Sequence, residues 1–168
     1  FLPQPTGEMP PTLPELLSDL EDPAVLRRDD VLSTNRYPST AKTDIQRWLR
    51  TTRTGKLLGK GSPVSDHEYS AHKPYIRDKF TKMIANGGVI PEEYKTKKFA
   101  QRVFPREWEE GGPNITATSL PDDYVHYNQP RTPSVREWAR IQTFPDWYEF
   151  CGPRTTGGRR RAGDPDAG

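Results

Sequence analysis

A small irregular α+β domain is the fold this sequence predicts, with several short helices, few short strands and long loops. Three observations predict it. Apolar residues recur at helical spacing, but only in short runs. β-branched and aromatic residues gather between turn formers near 115–127. Eighteen Pro and 13 Gly in 168 residues interrupt every longer pattern.

Composition narrows the class further. Only 32% of residues are hydrophobic, 29% are charged, and mean hydropathy is −0.93. Four Trp, seven Tyr and six Phe argue for a folded chain, because disordered chains are depleted in aromatics. The expectation is a small core with incomplete burial if the chain is alone. A single cysteine excludes an internal disulfide. No apolar run approaches the length of a membrane span, and Phe1-Leu2-Pro3 lacks the basic start of a signal peptide. Phe1 in place of Met and the ending Gly-Asp-Pro-Asp-Ala-Gly predict a piece of a longer protein.

The elements follow in order. Thr12 and Glu15 stand at capping-box spacing ahead of Leu16, Leu17 and Leu20, which predicts a helix over 13–20. Residues 21–40 read as irregular. In "STAKTDIQRWLRTTRTGK" a cap at Ser39 or Thr40 precedes Ile45, Trp48 and Leu49 on one face, with Trp48 read as core and Gly55 as the stop. The stretch 55–65 reads as a turn-rich loop. Pro74 opens a clearer helix carrying Ile76, Phe80, Met83 and Ile84, closed by Asn86-Gly87-Gly88. A turn of helix is expected near 105–110, and short strands near 115–118 and 124–127. Ser134 and Glu137 form a second capping box for a helix whose face holds Val135, Trp138, Ala139 and Ile141 or Gln142, ended by Pro145.

Charge is nearly balanced at +2, yet 42–60 carries Lys42, Arg47, Arg50, Arg53, Lys56 and Lys60 against Asp44. A solvated basic face is the plain reading of that run, and backbone contact with nucleic acid the functional one. Enzyme templates fail. Cys151 has only Arg154 nearby to favour a thiolate, His67, His72 and His126 lack metal-ligand spacing, and "GKLLGKGS" follows no apolar strand. Nothing assembles nucleophile, base and oxyanion donor, so the chain alone is expected to be inactive.

The stretch "PRTPSVREWARIQTFPDWYEF" is the exception in density. It resembles the penultimate motif of DNA (cytosine-5) methyltransferases, in which Arg precedes Ser/Thr-x-Arg-Glu-x-Ala-Arg and then Phe-Pro-Asp. Arg131, Ser134, Arg136, Glu137, Ala139, Arg140, Gln142, Phe144, Pro145, Asp146, Tyr148 and Phe150 carry the match. "LPELLSDL", "STAKTDIQRWLR", "DHEYSAHKPYIRDKFTKMIANGG" and "PNITATSLPDDYVHY" resemble neighbouring parts of the same family more weakly. The family's S-adenosylmethionine loop, Pro-Cys nucleophile and Glu-Asn-Val motif do not occur here.

The resemblance implies a target-recognition region at 1–115, a segment joining it to the catalytic domain at 116–152, and a truncated tail at 153–168. It implies double-stranded DNA and the family's catalytic domain as partners, and S-adenosylmethionine bound outside this chain. A prokaryotic, cytoplasmic, nucleoid-associated protein of a restriction-modification system follows, with no membrane. DNA contacts are expected at Gln46, Arg50, Arg53, Lys56, Thr116, Thr118, Arg131 and Arg136. Thr116 is matched to the threonine near the flipping site, with Ala117 where the family carries a larger aliphatic and Thr118 as the competitor. Ser134, Glu137, Arg140, Phe144, Pro145 and Asp146 are expected to be structural, and the arginines to divide between bracing and phosphate contact. A stand-alone DNA-binding module and an interaction module using the aromatic face of 138–150 are the alternatives. The isolated piece is expected to dimerise or pack loosely.

Overall fold

The computed structural model describes residues 9–28, 31–96, 101–107 and 123–151. Over these the chain forms α1 (Leu13–Leu17), α2 (Ala24–Arg27), α3 (Asp44–Arg50) and α4 (Pro74–Ala85). A 3-10 turn at Glu92–Tyr94, β1 (Arg102–Val103), β2 (Tyr124–Val125) and α5 (Val135–Ile141) follow. β1 and β2 pair in parallel, with Arg102 opposite Tyr124 and Val103 opposite Val125. Antiparallel bridges join Ser33 to Glu68, Arg36 to Pro63 and Thr51 to Leu57. The α+β class is as the sequence predicts. Among the described residues no helix is long and apolar enough to cross a membrane.

Helix α1 starts at the Thr12–Glu15 capping box, with Pro14 in its first turn. It is shorter than predicted. The Leu20 N–H reaches back to the Leu17 carbonyl at 2.9 Å, and this tighter turn drops Asp19 into the interior. Within 21–40, read as irregular, the short helix α2 forms, and the Asp22 side chain accepts from Ala24 N–H.

Helix α3 corrects the sequence reading twice. Its cap is Thr43, not Ser39 or Thr40: the Thr43 hydroxyl accepts from Gln46 N–H and donates to the Glu15 carbonyl. Gln46 in turn accepts from Lys42 N–H, and the Thr43 bond to Glu15 together with Gln46 Nε2 on the Pro14 carbonyl ties α3 to α1. The buried stripe is Gln46, Leu49 and Arg50, rotated by one residue, about 100°, from the expected face. Trp48 consequently points outward and is 54% exposed rather than core. The helix stops at Arg50 because its carbonyl accepts from Leu58 N–H in the returning chain. Gly55 serves that return turn instead, at φ +80°.

Helix α4 buries Phe80 and Met83 and ends at Asn86, with Gly87 and Gly88 at positive φ and Gly88 N–H on the Met83 carbonyl. The second predicted strand shortens to Tyr124–Val125, and the described part of 105–110 is not helical. The predicted strand at 115–118 lies outside the described residues.

Three small apolar clusters result. Leu13, Leu16, Leu17, Leu49, Phe104, Tyr127 and Trp138 form the first, where α1, α3 and α5 meet. Leu20, Tyr37 and Val64 form the second, and Phe80, Met83 and Val125 the third. The first draws on both 1–115 and 116–152, so these two stretches share one core. Trp138 stands edge-on to Phe104 and Tyr124 in it.

Helix α5 closes with a double backbone turn. Thr143 N–H bonds the Arg140 carbonyl and Phe144 N–H the Ala139 carbonyl, each at 2.9 Å. The turn places Thr143 at φ +61°, a left-handed conformation that a β-branched residue adopts at a cost. Thr143 is exposed. Thr143→Gly is therefore expected to stabilise the fold by about 0.5–1 kcal/mol, seen as a rise in Tm of a few degrees. A fall in Tm contradicts this reading of the turn.

Candidate nucleic-acid interface and its buried support

Helix α5 is polar in sequence and buried in place. Arg136, Glu137 and Arg140 have no exposed surface; Asp19 beside Arg140 has none either, while Asp66 beside Arg136 stays partly exposed. A buried charge costs several kcal/mol unless it is paired and hydrogen-bonded, so each of these groups must find partners inside.

Glu137 finds them first. Its carboxylate accepts from Ser134 N–H at 2.8 Å, completing the capping box, and from both Arg131 Nη atoms at 2.7 and 2.6 Å. Arg131 also donates to the Gln129 side chain and lies 4.2 Å above the Tyr69 ring. Burial alone would raise the Glu137 carboxyl, but the charge and hydrogen bonds of Arg131 hold it well below the usual carboxylate range.

Two buried histidines flank the pair. His67 Nε2 lies 3.1 Å from the Leu20 carbonyl and must donate there, which leaves Nδ1 to accept from the Ser134 hydroxyl at 2.7 Å. His126 Nδ1 accepts from Asn128 and Gln129 N–H, so its proton sits on Nε2, 3.5 Å from Glu137. Burial pushes His67 down to about 4 and His126 to about 3. Both are neutral wires of the scaffold.

Arg140 and Arg136 hold the other end of α5. Arg140 grips Asp19 with Nη1 at 2.5 Å and Asp146 with Nη2 at 2.6 Å, and donates to the Leu16 carbonyl at 2.8 Å. Tyr37 donates its hydroxyl to Asp146 at 2.6 Å. Arg50 lies 3.6 Å above the Tyr37 ring, 3.4 Å from Asp19, and bonds the Ser39 carbonyl. Arg136 reaches Asp66 and Ser65 Oγ at 2.9 Å, and its Nη atoms donate to the Pro145 and Tyr148 carbonyls. It thereby fixes the turn after α5, where the Phe144 ring packs on Tyr148 and Phe150.

The sequence-predicted DNA residues thus separate. Gln46, Arg50, Arg131 and Arg136 are at most 1% exposed, so in this fold they face the interior rather than the surface where DNA contacts are expected. A side chain with no open surface reaches a phosphate only if the chain around it opens. Thr116 and Thr118 lie outside the described residues. Arg53 and Lys56 are exposed, on a tight turn. In it Thr52 N–H bonds the Lys56 carbonyl, Lys56 N–H the Thr52 hydroxyl, and Gly55 N–H the Thr52 carbonyl. The Thr51–Leu57 bridge and the buried Arg50 anchor its base.

The aromatic stretch also divides. Trp138 is core, while Trp147, Tyr148 and Phe150 are 37–40% exposed. Trp147 comes up beside the 52–56 turn, with the Arg53 guanidinium 4.2 Å above its ring. Thr52, Arg53, Thr54, Trp147, Tyr148 and Glu149 line an open cleft of about 580 Å³ there. Sequence reasoning missed Asp19, Tyr37, Asp66, His67 and His126 as members of the support. The partners of the first four lie far along the chain, so no local spacing signals them.

Two outcomes test the support. Glu137→Gln keeps the shape of the capping box but leaves Arg131 buried and unpaired, so urea denaturation should show a loss of about 3–5 kcal/mol. A change below about 1 kcal/mol contradicts the pairing. Between pH 6.5 and 4 the unfolded chain binds more protons than the fold, because His67 and His126 stay neutral inside. Their contribution is complete above pH 6.5, and stability falls as pH drops through that window, by up to about 1.4 kcal/mol per unit for each histidine. A urea midpoint that is flat from pH 7 to 5 contradicts two buried neutral imidazoles.

Similarity to known proteins fits this organisation. A sequence model of the C-5 cytosine-specific DNA methylase family matches residues 15–164. Type II methyltransferase M.AquIB of Picosynechococcus sp. is 33% identical over 95 residues, covering 56% of this chain and 66% of that protein. Type II methyltransferase M.BbvI of Brevibacillus brevis is 32% identical over 98 residues, covering 53% of this chain and 26% of that protein. Type II methyltransferase M1.HphI of Haemophilus parahaemolyticus is 30% identical over 99 residues, with 57% and 26% covered. The matched part therefore spans just under two thirds of the first relative and about a quarter of the other two. With a family match running over most of its length, the chain belongs to the C-5 cytosine-specific DNA methylases.

Proposed function

We propose that the complete protein transfers a methyl group from S-adenosylmethionine to C5 of a cytosine flipped out of duplex DNA, within a restriction-modification system. This chain supplies the sequence-reading part at 1–115 and the segment at 116–152 that joins it to the catalytic segments. The cofactor and the Pro-Cys nucleophile belong to those segments, which are its protein partner. The single observation that carries the reading is the family match over residues 15–164.

The chemistry of the surface supports it. Duplex binding needs cations free to replace condensed counterions, and Arg53, Lys56 and Lys60 are exposed together on and beside one braced turn. Arg50, Arg131, Arg136 and Gln46 act beneath as supports rather than contacts. Thr116 remains the proposed neighbour of the flipped cytosine, with Thr118 second. Extruding a base costs a few kcal/mol, which the binding energy of such a surface offsets. In isolation the exposed aromatics favour self-association of this chain, which light scattering reads as a dimer.

Labelled methyl transfer by the complete protein tests the reaction. The product expected in duplex DNA is 5-methylcytosine, and label at cytosine N4 or on adenine overturns the assignment. Duplex affinity should fall steeply with salt, and Lys56→Ala should reduce the log–log slope by about one. An unchanged slope removes Lys56 from the interface.

A further inference from the structure

We infer that the cleft between the 52–56 turn and Trp147 reads a guanine–cytosine pair in the major groove, with Arg53 as the reading side chain and Trp147 as the plate that holds it. The inference rests on the DNA-recognition reading above and assigns part of its specificity to named residues.

Arg53 differs from the interior arginines in what it leaves unused. Arg131, Arg136 and Arg140 give N–H groups to carboxylates and carbonyls of the fold, and Arg50 gives one to the Ser39 carbonyl. Arg53 lies over the Trp147 ring at 4.2 Å and makes no hydrogen bond or ion pair with any described residue. A guanidinium held over an aromatic ring commits no N–H group to a hydrogen bond there and loses much of its rotational freedom before any ligand arrives. That planar edge matches the adjacent O6 and N7 acceptors of guanine, which a lysine ammonium cannot pair with in the same bidentate way.

The cleft favours a base edge over a phosphate because Glu149 also lines it. A carboxylate repels a phosphate, whereas it accepts from the N4 amino group of cytosine. One fork of donors and one carboxylate lining the same cleft therefore complement a guanine–cytosine pair. The support is rigid on both sides. The turn is closed by its own hydrogen bonds, and the Trp147 segment is pinned by Arg136 on the Pro145 and Tyr148 carbonyls and by Asp146 N–H on the Leu49 carbonyl. A base-reading side chain gains discrimination from such preorganisation.

The test is selection of duplexes from a library randomised around a fixed cytosine, using the complete methyltransferase and its Arg53 and Trp147 variants. The wild type is expected to retain guanine at one position by about tenfold or more over adenine. Arg53→Lys should erase that preference and leave preferences at other positions intact. Trp147→Ala should relax the same position by about threefold, and Trp147→Phe should preserve it. If Arg53→Lys and Arg53→Ala weaken binding equally on all sequences, or leave selection unchanged, Arg53 reads no base and the inference is overturned. If the wild type retains no duplex at low salt, the DNA-recognition reading itself fails, a result distinct from either of these.

Discussion

The structure depends on one constraint: the charges of α5 lie inside. Arg131 with Glu137, and Arg140 between Asp19 and Asp146, are ion pairs without exposed surface. Their net contribution to stability is modest, because desolvation cancels much of the attraction. Their contribution to specificity is larger. A buried arginine favours arrangements in which its N–H groups meet acceptors, as those of Arg131 and Arg140 do, so the network disfavours packings that three small apolar clusters alone would allow. Hydrophobic area sets that the chain collapses, and the ion pairs set how.

This arrangement explains how a chain poor in aliphatics presents a firm surface. Asp19 follows α1, Arg50 ends α3, Asp66 lies in a loop, and Asp146 follows α5. The arginines of α5 and Arg50 tie all four together. The outer turn at 52–56 grows directly from the buried Arg50, and the Trp147 turn from the buried Asp146. Two loops remote in sequence therefore meet at a fixed distance, with Arg53 against Trp147 as the visible contact. Loops held this way can carry recognition without first being ordered by the ligand.

Much of this was legible in the sequence, and unevenly so. Capping boxes are local, so Thr12–Glu15 and Ser134–Glu137 revealed two helix starts directly. The Pro74 start and Asn86-Gly87-Gly88 stop framed α4 for the same reason. At α3 two local signals competed: Thr43 with Gln46 is as good a cap as Ser39 or Thr40, and only its tie to Glu15 decides the choice. The face of α3 was misjudged because apolar Trp48 was expected inside, whereas Arg50 takes that place through Asp19 and Tyr37. For Arg131 and Arg136 the resemblance leaves bracing and phosphate contact both open, and nothing local in the sequence separates the two. Periodicity registers which side chains share a face, but not which buried acceptor lies far along the chain.

The central claim is that the arginines of α5 brace the fold while the outer turn meets DNA. Native-state hydrogen exchange, measured with and without a short duplex, tests it most directly. The amides of residues 136–140 should exchange only through global unfolding in the free chain and be unchanged by duplex at equal global stability, while those of 52–56 slow on binding. Fast exchange across 136–140 in the free chain that slows only with duplex present would show these arginines open to DNA, and would contradict the account.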